Sequence, residues 1–185
     1  MRRTLALLGT AMALAAPGLA QAQASNTDSK TVGIIGTVPA QCFAGSPSGE
    51  GSFDLGVLID LDTGLLRTDL SAPERVLVGS FCTSRSTITI GATPLEAQNF
   101  TAAPPAGFSR RVHYQASAAG WTATPASYAT GSASNVAATQ SRASAFTGDI
   151  TVAISNFATD GGETLRLVGD SAYRGLVTVT LAAVN

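Results

Sequence analysis

The sequence predicts an all-β protein folded as an antiparallel β-sandwich, and three observations carry that expectation. Apolar and polar residues alternate with period two in short runs from residue 31 to residue 184. No segment beyond residue 24 repeats apolar residues at i, i+3 and i+4, the spacing of an amphipathic helix. Between the runs lie Gly, Pro, Asn and Asp, whose backbone preferences make turns.

The runs follow in order. Residues 31–38 alternate through Val32, Ile34 and Val38, and residues 52–58 form a second short run. Residues 75–82 carry Val76 and Val78 on one face and Leu77 and Phe81 on the other, which predicts a central strand covered on both sides. Residues 87–92 follow with Ile88 and Ile90, residues 111–117 with Val112 and Tyr114, and residues 149–155 with Ile150, Val152 and Ile154. In the last run, residues 176–184, Val177, Val179 and Leu181 face one way and Thr178 and Thr180 the other. About seven short strands with turns between them describe a sandwich. Residues 116–145 are rich in Ala, Ser and Thr and are interrupted by Gly120, Pro125 and Gly131. The breakers and hydroxyl residues compete with the helix preference of alanine, so this stretch is expected to be a long loop with one irregular strand around Trp121.

Residues 1–24 read as a secretory signal peptide. Arg2 and Arg3 open it, an apolar run follows, and Ala20-Gln21-Ala22 or Ala22-Gln23-Ala24 supplies small residues for cleavage. The run is too short to span a bilayer, so the mature chain is expected to be exported. What remains, about 160 residues, suits one domain. Without Arg2 and Arg3, nine basic residues face twelve acidic ones, a formal charge of −3 that attracts neither nucleic acid nor an anionic membrane. The two cysteines, Cys42 and Cys82, are expected to form one disulfide. Closing that loop contributes roughly 4 kcal/mol in the chain-entropy model.

Catalytic chemistry finds little purchase. Asp62-Thr63-Gly64 has the form of an aspartic-protease tripeptide, but that reaction needs two carboxylates sharing a proton and the string occurs once. Asp-Thr-Gly is also ordinary turn chemistry, the reading preferred here. A calcium loop starting at Asp60 would need a bidentate Glu at its twelfth position, where Ser71 stands. His113 is the only histidine, so no Ser–His–Asp or Cys–His grouping can form, and its alternation with Val112 and Tyr114 points it to solvent. Trp121 and Tyr114 could stack on a sugar, yet aromatics in a sandwich serve more often as core or loop anchors. No cofactor, metal or enzymatic activity is expected.

Taken in order, several motifs resemble the pilin superfamily of chaperone–usher systems, in particular the spore coat protein U-like pilins of the archaic branch. They are the arm Thr31-Val32-Gly33-Ile34-Ile35-Gly36-Thr37-Val38 leading to Cys42, then Phe53-Asp54-Leu55-Gly56, and Val76-Leu77-Val78-Gly79-Ser80-Phe81 ending at Cys82. Arg110-Arg111-Val112-His113-Tyr114 with Trp121 downstream follows, and then Tyr173-Arg174-Gly175-Leu176-Val177-Thr178-Val179-Thr180-Leu181. The resemblance implies an immunoglobulin-like sandwich that lacks its last strand, with residues 25–38 as a donor arm and 39–185 as the pilin-like domain. It further implies an apolar groove beside Val177, Val179 and Leu181, covered first by a periplasmic chaperone. At an outer-membrane usher, Val32, Ile34 and Val38 of an identical or related subunit would then take the chaperone's place, building a surface fibre for adhesion or biofilm formation. The alternative from another class is a secreted glycan-binding or tip-adhesin module using loops within residues 107–145, with surface glycans as ligand. A dimeric protease built on Asp62 stands third.

Overall fold

The computed structural model describes residues 27–184. The expected signal peptide lies outside the described residues. The chain divides into Met1–Gly36 and Thr37–Asn185. In the first unit, described residues 27–36 carry no strand, and Val32 and Ile34 are 83% and 97% exposed.

The second unit is a two-layer β-sandwich. In order it contains β1 (Cys42–Phe43), β2 (Ser46–Pro47), β3 (Arg75–Cys82), β4 (Ser86–Ala92), β5 (Leu95–Ala97), β6 (Phe108–Ser109) and β7 (Arg111–Ala119). After β8 (Ala126–Ala129) and a 3₁₀ turn at Val136–Ala138 come β9 (Thr139–Arg142), β10 (Phe146–Thr159), β11 (Arg166–Leu167), β12 (Tyr173–Arg174) and β13 (Val177–Ala183). The larger layer runs β1-β3-β10-β7-β5-β12, with β2 also on β3 and β8 also on β7. The smaller is β13-β4-β9, and β6 and β11 form a short parallel pair apart from both. Ile88 and Ile90 of β4 meet Tyr114, Ala116 and Ala118 of β7 and Ile150 and Val152 of β10 across the interior.

The structure corrects several expectations. Residues 31–38 and 52–58 alternate as strands do but belong to none, because alternation fixes side-chain faces and supplies no hydrogen-bonding neighbour. The expected loop at 116–145 instead contains the end of β7, β8, the 3₁₀ turn and β9. β8 pairs with β7 from Gln115↔Ala129 to Ala118↔Ala126, and small side chains let Ala116, Ala118 and Ala126 be fully covered. Trp121, expected within an irregular strand, sits in a bend after β7; it is buried and donates its indole N–H to Ser86 Oγ at 3.2 Å.

β3 is central in its layer, but its faces are not those expected. Gly79, at φ 73°, sits with Val78 in a bulge opposite Asp149, and the extra residue inverts the alternation. Leu77, Ser80 and Cys82 therefore face the core, while Val78 is exposed and Phe81 lies against Phe43, ring centroids 6.0 Å apart. The Asp149 carboxylate accepts the Gly79 N–H at 2.8 Å and satisfies the bulge.

Candidate functional site

β13 is built for a sheet: Val, Thr, Val, Thr and Leu are strand-forming residues that pack well on a pleated surface. It pairs with β4 along its whole length, from Val177↔Ala92 to Ala183↔Ser86, without a register shift. On its other side no strand among the described residues pairs with it. The inward residues Val177, Val179, Leu181 and Ala183 are only half-buried, and the first three reach the fringe of the core.

The backbone follows the same parity. At one end the Val184 N–H donates to the Arg85 carbonyl at 2.9 Å, and at the other the Thr93 N–H donates to the Leu176 carbonyl, also at 2.9 Å. Even-numbered residues thus turn their N–H and C=O groups to β4. In a regular strand the odd-numbered residues must turn theirs the opposite way, to the free edge. The residues with half-covered side chains are therefore those that offer unpaired backbone groups, an arrangement that templates another strand.

Across from the start of β13 lies a strap of chain, residues 51–59. Two cavities open along the strap. One, of about 230 Å³, is lined by Phe53, Tyr114, Ile154, Phe157 and Val177 among others. The second, of about 580 Å³, lies between the strap and residues 167–174 and shares Phe53, Leu55 and Leu95 with the first. Arg75 holds one end of the strap, donating from Nε to the Ser52 carbonyl at 2.9 Å with its guanidinium 5.9 Å from the Phe53 ring centroid. Arg67, paired with Asp69 at 2.8 Å, donates to the Val57 carbonyl at 3.3 Å at the other end. The Tyr114 hydroxyl donates to the Leu176 carbonyl at 3.1 Å, tying the start of β13 to the opposite layer, and burial pushes this phenol up to about 12.

The root of the arm is fixed by covalent and polar contacts. Cys42 and Cys82 form the expected disulfide, joining β1 to β3 with Cα atoms 4.1 Å apart. Thr83 adds to it: its hydroxyl accepts the Gln41 N–H at 3.0 Å and donates to the Pro39 carbonyl at 2.9 Å. Val38, immediately before this anchor, is 82% exposed. Neither Thr31–Val38 nor β13 contains a charged residue.

The other sequence candidates settle elsewhere. Asp62-Thr63-Gly64 forms a turn with Gly64 at φ 71°, but its organiser is Asp60. Asp60 Oδ1 accepts the N–H groups of Asp62 and Thr63 and the Thr63 hydroxyl, and chiefly the Thr63 N–H bond holds the carboxyl below its ordinary range. Among the described residues no cluster of three or more His, Cys, Asp or Glu could hold a metal ion. His113 does not point freely to solvent: it is half-buried, with Nδ1 3.2 Å from Thr130 Oγ1 and Nε2 3.3 Å from Asp160 Oδ1. Asp160, Arg111, Glu96 and Arg110 continue that ion-paired surface row. Trp121 and Tyr114 are buried, so neither offers a stacking face for a sugar. Sequence reasoning placed Val177, Val179 and Leu181 correctly on one face but missed the strap cavities, whose walls meet only through tertiary packing.

No protein-family model, curated protein or solved structure matches this chain. The disulfide fits maturation in an oxidising compartment, and no helix among the described residues is long and apolar enough to cross a membrane.

Proposed function

We propose that this chain is a structural fimbrial subunit of pilin type, an immunoglobulin-like sandwich short of one strand that polymerises when the N-terminal arm of one subunit completes the next. The observation that carries this reading is the pairing of two incomplete parts in one chain. Among the described residues β13 has an edge without a strand partner, with half-covered Val177, Val179 and Leu181, and the uncharged stretch Thr31–Val38 displays Val32, Ile34 and Val38 to solvent. Each exposed side chain gains ~1.5–3 kcal/mol when fully buried, and the added strand gains main-chain hydrogen bonds. Head-to-tail addition of this kind does not close on itself, so it yields a fibre.

On this reading the arm root at Cys42 and Thr83 is an anchor that transmits load from body to arm, and the disulfide is a structural element of the fibre. A periplasmic chaperone lends a strand to β13 before an outer-membrane usher exchanges it for the next arm. The product is a surface fibre serving adhesion or biofilm formation, and the chain is its building block, with no catalytic role. Deleting residues 31–36 is expected to abolish polymerisation while leaving a folded domain able to accept a peptide of residues 27–41. A chain that stays monodisperse at high concentration and ignores that peptide would refute the proposal.

A further inference from the structure

We propose that the larger cavity, between the strap and residues 167–174, binds a neutral mono- or disaccharide. Phe53 and Tyr173 offer ring surface to the C–H faces of the sugar, and Asp54, Ser171 and Arg174 meet its hydroxyls. None of Val177, Val179 and Leu181 lines this cavity, and neither does any residue of the stretch 107–145. Such binding does not depend on polymerisation.

Size and rigidity come first. At about 580 Å³ the cavity falls in the range of roughly 300–1,000 Å³ that small-ligand sites occupy. Both of its walls are held in place without a ligand. Arg75 and Arg67 fasten the strap at the Ser52 and Val57 carbonyls. Opposite, the Asp170 carboxylate accepts the backbone N–H groups of Asn99, Phe100 and Ala172 and the Asn99 side-chain amide, at 2.7–2.9 Å. The Tyr173 hydroxyl donates to the Val168 carbonyl at 2.8 Å, and the Val168 N–H donates to the Ser109 carbonyl at 2.9 Å. Walls fixed in this way lose little freedom when a ligand enters.

The lining then selects the ligand. Phe53 and Tyr173 are half-buried aromatic side chains in one cavity, with Leu55 and Leu95 beside them. Asp170 is committed to its wall, but Asp54 is not. Asp54 Oδ1 accepts the Gly56 N–H at 2.9 Å, and its second oxygen has no partner among the described residues. The Arg174 side chain is exposed and makes no hydrogen bond or ion pair among the described residues. A carboxylate and a guanidinium in one cavity disfavour a ligand of net charge, because either sign meets a like charge. A hydrocarbon would strip both groups of water and return no hydrogen bonds. A sugar avoids both costs. Each of its hydroxyls donates and accepts, which serves Asp54 and Arg174 alike, and its C–H faces lie against apolar ring surface.

NMR titration of the dispersed full chain with maltose, cellobiose, lactose and N,N′-diacetylchitobiose tests the assignment, with glucuronic acid and glucosamine as charged comparators. The expected result is saturable binding of at least one of the neutral disaccharides, with amide shifts confined to residues 53–59, Leu95 and residues 167–174. Arg174→Ala, a change at an exposed side chain, should weaken that binding about tenfold or more by removing a charged hydrogen-bond donor. Phe53→Leu, which keeps apolar bulk and removes the ring, should weaken it severalfold. No saturable binding of any neutral disaccharide, tighter binding of either charged sugar, or shifts at residues 107–145 in place of the cavity would each overturn the proposal. Binding that both variants leave unchanged would overturn it as well.

Discussion

β4 and β13 are neighbours in one three-stranded sheet and carry similar alternating sequences, yet their inward side chains have different fates. Ile88 and Ile90 on β4 are 0% and 1% exposed, whereas Val177, Val179 and Leu181 on β13 remain half-covered. The difference lies in the neighbours. β4 is flanked by β9 and β13, while among the described residues β13 has a partner on one side only. Burial in a sandwich is thus set by the strands on either side as much as by the facing layer, and an edge position leaves side chains and backbone groups of the same residues uncovered together.

Several measurements would break or sharpen that contrast. The largest effect is expected for replacing Cys42 and Cys82 by Ser, which removes the tie between arm root and core and should cost roughly 4 kcal/mol in denaturant unfolding. The unpaired edge of β13 should persist in that variant. Next, Ile90→Ala should cost about 2–5 kcal/mol, because the paired strand has nothing that can collapse into the space. Val179→Ala, half-covered, should cost the dispersed chain only about 1 kcal/mol yet weaken assembly markedly, as followed by light scattering. Equal losses of stability at positions 90 and 179 would erase the distinction between the two strands.

A smaller effect should appear at acid pH at Asp170, which lines the larger cavity beside the strap. Asp170 accepts N–H groups from Ala172, Phe100 and Asn99, and these bonds, that from Ala172 foremost, hold its carboxyl down at about 2. A folded-state value below the unfolded one means the carboxylate stabilises the fold above about pH 4. That contribution is lost as the pH falls from about 4 through 2. The stability difference between the wild type and Asp170→Asn should therefore shrink over that window; a constant difference would show that these bonds do not depend on the charge.

Much of this architecture was legible in the residues. β3 was read with its observed bounds, and β4, β7 and β13 nearly so, because each alternates branched or aromatic side chains over a half-buried surface. β10 was read short because Asn156, at φ 54°, introduces a bulge after which the strand resumes to Thr159. β8 was missed because Ala126–Ala129 is made of small and polar residues whose pairing with β7 is decided by what lies across from them. The arm and the strap show the converse, with strand-like alternation but no strand, the strap pairing only at its end, where Ile59 bridges Leu66. Of the candidate site, the faces of Val177, Val179 and Leu181 could be read locally. The open edge could not, since an absent partner leaves no mark on the strand that lacks it.

Amide hydrogen exchange along β13, compared between dispersed and assembled chain, tests the central claim most directly. The Val177, Val179, Leu181 and Ala183 amides are expected to exchange fast when dispersed and to be protected on assembly, while those of Thr178, Thr180 and Ala182 stay slow in both. Protection of all seven amides in the dispersed chain, or an unchanged pattern on assembly, would contradict it.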